Sequence, residues 1–136
     1  MRRRELFASV GSMAGSLAAL PHPAAAQAAD RVYRVGILRQ DFAPVPPAQG
    51  NTQLRAALRE LGYIEGRNLL LDERYAGRDL ERLPALAREM VQAKPDVIVA
   101  VGALPARAVK AATTSVPIVM YGNFDPIELG LVGSLA

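Results

Sequence analysis

The residues best placed to do chemistry sit where an apolar run, Val97 to Val101, meets Gly102-Ala103-Leu104-Pro105 and a helix-like stretch follows. A glycine turn between strand and helix can cradle a phosphate, aim a nucleophile, or let the backbone approach the uncharged part of a small ligand. It can also be nothing more than a compact turn. The phosphate reading fails on spacing, because neither G-x-G-x-x-G nor a Gly-Lys-Ser/Thr ending is present. The nucleophile reading fails on residue type, because no Ser, Thr or Cys stands at the turn. What remains is ligand contact through Gly102, Ala103 and Leu104, or a compact turn without ligand contact. The helix that Pro105 is expected to open would offer free N–H groups to a carboxylate or other polar head.

Other polar candidates lie in loops. Asp125 precedes Pro126, with Glu128 three positions on, which is a capping-box arrangement. As a cap it has a full structural explanation, worth about 1 kcal/mol. Its carboxylate can instead, or also, meet a ligand ammonium or hold the neighbouring loop. Gln40, Asp41 and Phe42 follow the first strand-like run and offer an amide, an acid and a ring to a small pocket, unless they are ordinary loop residues. Tyr121 and Asn123 read the same way, and Asn123 also suits an unusual backbone angle. Tyr63 and Tyr75 read as packing or sheet-edge residues.

Composition removes whole classes of activity. There is no cysteine among the 136 residues, and the single histidine, His22, lies in a leader-like segment. That segment, residues 1–28, has the basic start MRRRELF, a short weakly apolar stretch and a small-residue end, the anatomy of a secretory signal. Cleavage fits after Ala26 or after Ala28. Arg3-Arg4-Glu5-Leu6 also resembles a twin-arginine export signal, with an ordinary secretory signal as the alternative. Beyond residue 28 there is neither His nor Cys, so Ser-His-Asp triads, Cys-His pairs, thiolate metal sites and disulfides are excluded. A lipid-anchoring cysteine behind the signal is excluded too, which leaves an exported, periplasmic protein without a lipid anchor. No cofactor and no metal are expected. The 108 residues after Ala28 carry 13 basic and 12 acidic side chains, so no nucleic-acid partner is indicated. Arg55, Arg59, Arg67, Arg74, Arg78, Arg82 and Arg88 alternate with acids and read as solvated helix faces.

The elements that must position these residues alternate along the chain. Strands are predicted at 32–38, 68–76, 97–101 and 116–121, and helices at 51–62, 79–93, 105–113 and 125–136. Asn51 or Thr52 would cap the first helix and Gly62 would stop it. The second carries Leu80, Leu83, Ala87 and Met90 on one stripe and tolerates Pro84 only in its first turn. The run 97–101 is apolar on both faces, as in a central parallel strand covered by helices on each side. Four β-α units predict an α/β fold, a doubly wound parallel sheet, over residues 29–136.

The ordered set LGYIEGRN, LPALAREMV, KPDVIVAVG, TTSVPIVM and DPIELGLVGSLA, spread over residues 54–136, resembles the substrate-binding proteins of bacterial ABC importers, some of whose relatives take up aromatic amino acids. The resemblance implies the N-terminal lobe of a type I periplasmic binding protein, truncated, with a missing or separate second lobe. It implies a small-molecule solute, such as an amino acid, bound between two lobes and delivered to ABC permease and ATPase subunits. With the family's strand order 2-1-3-4, ligand would lie beyond the carboxyl ends of the strands, beside loops 39–50, 102–105 and 121–125. A ligand-sensing module on the same fold and a nucleotide-binding α/β enzyme are the alternatives; the second would need a glycine fingerprint after the first strand, which is absent.

Overall fold

The computed structural model describes residues 31–44, 46 and 50–133; the segment read as an export signal, residues 1–28, lies outside them. Four β-rich runs become strands β1 (Tyr33–Arg39), β2 (Leu69–Tyr75), β3 (Val97–Val101) and β4 (Ile118–Tyr121). All pair in parallel, in the order β2-β1-β3-β4, so the doubly wound α/β reading holds. The register aligns side chains in rows across the sheet. Glu73, Ile37, Val99 and Val119 form one row, and Tyr75, Arg39, Val101 and Tyr121 form the next, nearer the carboxyl ends.

Among the described residues three helices cover this sheet: α1 (Thr52–Glu60), α2 (Leu83–Gln92) and α3 (Ala103–Ala112). Helices α2 and α3 lie on one face, where Leu38, Ile98 and Ala100 from the strands meet Met90, Ala106 and Val109 from the helices. Gly36 belongs to this contact for reasons of space, since a Cβ there would stand 2.6 Å from Met90 Sδ. On the opposite face α1 lays Leu54 and Leu58 against Val35, Ile37 and Leu69, and none of its own residues is buried. Tyr63 closes that end edge-on against Tyr33, with ring centroids 5.3 Å apart, a packing role as expected.

Four local expectations change. The helix predicted over 125–136 does not form across its described part, residues 125–133: Asp125 Oδ1 accepts from the Ile127 N–H (2.8 Å) and the Glu128 N–H (3.3 Å), but the turns end at Gly130. Gly130 takes φ 65°, its N–H bonds the Ile127 carbonyl at 2.9 Å, and the Leu131 N–H reaches back to Pro126 at 2.8 Å. This crossed pair is a Schellman closure, which a residue without a Cβ adopts readily and which stops the chain after one turn. Lys110 Nζ then ties that turn to α3 through the carbonyls of Gly130 (2.8 Å) and Leu131 (2.5 Å). Second, α3 begins at Ala103, so Pro105 is its third residue and is buried, not the residue that opens it. Third, Leu80 falls in a 3-10 turn (Leu80–Arg82) ahead of α2 and is exposed, leaving Leu83, Ala87 and Met90 as the buried stripe. Fourth, Asn51 precedes α1 in the left-handed region (φ 54°) and makes no side-chain cap.

Candidate functional site

Sequence-predicted residues converge at the carboxyl ends of the strands. The Gly102 N–H donates to the Tyr121 carbonyl (2.8 Å), which joins the β3 exit to the β4 exit. Gly102 has φ 104° and ψ 161°, a combination open to glycine alone, and a Cβ there would lie 3.8 Å from Gln40 Oε1. Gln40 and Gly102 are therefore neighbours, as the strand order demands. The amides of Ala103 and Leu104 precede the first helical bond of α3, from the Ala106 N–H to the Gly102 carbonyl (3.1 Å).

The exit of β1 is zipped to the exit of β2. The N–H groups of Ala76, Gly77 and Arg78 donate to the carbonyls of Arg39 (2.9 Å), Asp41 (3.0 Å) and Gln40 (2.7 Å). Asp41 turns back to Arg39, with Oδ2 3.3 Å from Nη2. Phe42 leans over Gly77 and under the Arg78 guanidinium, 5.5 Å from its centroid, and is 63% exposed. Asn123 and Asp125 are exposed on the β4 loop, and Asp125 acts as the cap described above. The Leu104 side chain goes elsewhere: it lies beside Leu80, Leu83, Pro84 and Arg107 in a groove between α2 and α3, away from Gln40.

A second feature was not among the sequence candidates. On the α1 face, near the carboxyl ends, the sheet carries an open cavity of about 500 Å³. Its floor is Ile37, Val99, Val101 and Val119; its rim is Arg39, Asn51, Thr52, Gln53 and Tyr121. Among the described residues helix α1 covers the β1–β2 half of this face, β3 is half-buried beside it and β4 is open, so Val119 is 51% and Tyr121 69% exposed. Only Tyr121 of these belonged to the predicted site. The alternation of Val97, Val99 and Val101 with Val119 and Tyr121 signals a common face, but not that the face is open.

A polar network anchors the rim. Asn51 Nδ2 donates to Glu73 Oε1 (2.8 Å), Arg55 Nη1 lies 3.0 Å from the same oxygen, and the Tyr75 hydroxyl donates to Glu73 Oε2 (3.2 Å). Arg55 also binds the Gly50 carbonyl and Glu65, so it holds the loop that precedes α1. Burial works to raise the Glu73 carboxyl, but the hydrogen bonds from Arg55 and Asn51 outweigh it and hold the group below its ordinary value. Burial, reinforced by the Glu73 charge, pushes the Tyr75 phenol up. Arg55 and Arg74 are thus not solvated helix-face residues; Arg74 stands on β2 between Asp72 (3.1 Å) and Glu89 (2.8 Å).

Among the described residues this end of the sheet offers a cradle with an apolar floor and polar rim, suited to holding a small molecule. Residues 49–136 match the family described as ABC transporter substrate binding protein. A curated relative, the Tyrosine-binding protein of Clostridioides difficile, is 38% identical over 79 residues, 58% of this chain and 23% of that protein. A conserved domain protein from Vibrio cholerae is similar in structure with TM-score 0.69 and 30% identity, over 77% of this chain and 35% of that one. The ligand-free, open structure of a substrate binding protein with adhesive properties from Clostridium difficile gives TM-score 0.68 and 30% identity, over 76% and 35%. An ABC domain from Streptococcus pneumonia, solved in complex with L-Trp, shares the fold at 22% identity and TM-score 0.66, over 76% and 35%. The chain therefore spans about a third of these solved relatives and less of the curated one.

Proposed function

The chain belongs to the ABC transporter substrate-binding protein family, and from that premise we propose that it supplies the first lobe of a receptor for a small organic solute of the aromatic amino-acid class. The observation that carries this reading is the open, apolar-floored crevice where the exits of β1, β3 and β4 meet. In an open α/β sheet that is where ligands bind. The relative named for tyrosine, 38% identical over 79 residues, supports the solute class. Gln40, Asp41, Phe42, Gly102, Ala103, Leu104, Tyr121, Asn123 and Asp125 border the ligand in this proposal, Leu104 through its backbone amide. The work is binding, not catalysis: affinity comes from burial between this lobe and a second one, and the solute passes to ABC permease and ATPase subunits. Residues 1–28 direct export to the periplasm and are removed. Among the described residues no helix is long and apolar enough to cross a membrane.

Calorimetry against a panel of amino acids tests the reading, using this chain alone and the same chain joined to the second lobe of a relative. The expected result is binding weaker than micromolar for the chain alone. One lobe leaves the ligand half in water and forgoes much of the roughly 25 cal/mol per Å² of apolar burial. With the second lobe, micromolar or tighter binding of aromatic amino acids is expected. Preference for a non-aromatic solute, or no binding by either form, overturns the proposal. The exported product should begin at Gln27 or Ala29; a chain still starting at Met1 removes the export claim.

A further inference from the structure

The charges around the cavity are one-sided. Among the described residues its lining carries one cation, Arg39, and no acidic side chain. Two other arginines on the sheet and on α1 are more fully engaged. Arg55 is shared by Glu65 and Glu73, and Arg74 by Asp72 and Glu89. Arg39 meets a neutral amide, Asn51 Oδ1 at 3.2 Å, and one exposed carboxylate, Asp41 at 3.3 Å, both at the long end of hydrogen bonding. A guanidinium has five N–H donors in a planar fork, so three remain beyond these two contacts. The acids at this end of the sheet are occupied: Asp41 by Arg39 itself, Glu73 by Arg55, Asn51 and Tyr75, and Asp125 Oδ1 by the amides of Ile127 and Glu128.

Resting on the functional reading above, we infer that this cavity selects an aryl carboxylate: Arg39 takes the carboxylate, the Val99–Val101–Val119 floor and the Tyr121 ring take the aryl group, and the ammonium of an amino acid is not read here. Size agrees, since about 500 Å³ lies within the range of small-molecule sites. The amino group then points away from the floor, towards solvent or the opposing lobe. An acid lacking that group loses nothing in this half of the site, whereas an amine lacking the carboxylate loses the one charged contact on offer.

Methyl and aromatic NMR of the full chain with millimolar 3-(4-hydroxyphenyl)propionate, tyrosine and tyramine tests this. The propionate and tyrosine should shift Val99, Val101, Val119 and Tyr121 with dissociation constants within about threefold, and tyramine should bind about tenfold more weakly, the usual worth of a charge-assisted hydrogen bond. Arg39→Gln should weaken the propionate about tenfold and leave tyramine unchanged. Asp41→Asn frees the guanidinium and should tighten the propionate a few-fold, an effect a merely structural arginine would not show. Equal binding of tyramine and propionate overturns the inference, as does an Arg39→Gln effect common to both ligands. Shifts confined to other residues overturn it while sparing the functional reading. Shifts at Val119 and Tyr121 that follow protein concentration without ligand show a second copy covering the face, and overturn it as well. If no aromatic ligand moves any signal in this chain or in its two-lobed form, the functional reading itself fails.

Discussion

The two faces of one sheet differ more than the strands that make them. Towards α2 and α3, Leu38, Ile98 and Ala100 have no exposed surface and touch helices that each bury three residues. Towards α1, their sequence neighbours Val99 and Val101 are half-buried, Val119 and Tyr121 are open, and the helix buries no residue of its own. Adjacent side chains on a strand point to opposite faces, so chemically similar valines and isoleucines part company within one residue. Stability resides on the first face. The second keeps apolar surface uncovered beside the strand exits, where a ligand or a second lobe can use it.

The comparison breaks most sharply under truncation. Ile98→Ala should cost about 3–4 kcal/mol, because it opens a void between two helices, whereas Val99→Ala should cost about 1 kcal/mol. Urea unfolding monitored by circular dichroism measures both; equal losses would mean that the faces are equally packed. Next in size, Gly36→Ala should cost roughly 1–3 kcal/mol, since its Cβ would meet Met90 Sδ at 2.6 Å and Cγ at 2.9 Å. Adding Met90→Ala should make the pair less than additive, because the two changes share one space. Strict additivity would place the strain elsewhere.

On the open face the expected effects are smaller and depend on pH. Glu73→Gln removes the charge and one of the two acceptor oxygens that serve Arg55, Asn51 and Tyr75, and should cost within about 1 kcal/mol at neutral pH. Because the folded-state carboxyl is held below its ordinary value, its contribution is present above the unfolded value, about 4.3, and is lost as pH falls through the folded one. The gap between wild type and Glu73→Gln should therefore close in acid; a gap that widens there would reverse the assigned sign. Smallest of all, Val119→Ala should change stability by less than about 0.5 kcal/mol. A larger loss would show that something already covers this face.

Much of the fold was legible because it is written in local pattern. Four β-rich runs, each followed by helical spacing, suffice for a parallel α/β sheet, and Asp125 before Pro126 marks a cap that the structure makes. Gly62 stops α1 as expected. Gly130 carried the same stop signal, but Leu129, Leu131 and Val132 around it continue an apolar pattern that reads as helix. Pro105 was misplaced by two residues because proline suits the first turn at more than one position. Of the candidate site, Gln40, Gly102 and Tyr121 were brought together at the strand exits, while the Leu104 side chain was drawn into the α2–α3 groove. Arg39, which opens the loop 39–50 expected beside the ligand, was not singled out within it, Thr52 was read only as a cap and Gln53 not at all, because nothing in their own segments distinguishes a rim from a solvated surface.

By itself the sequence determined the four strands, the three helices between them and their order, the absence of cysteine and histidine chemistry beyond residue 28, and the family. These depend on residue identity and on spacings of a few positions. Only the tertiary structure decided which face of β4 is open among the described residues, that Arg55 and Arg74 are held in ion-pair networks, and that Arg39 is the one cation among the described residues lining the cavity. Those outcomes depend on where helices land and which charges meet across the sheet. They are contacts between distant segments, set by the competition for burial across the whole chain and not by any local run of residues.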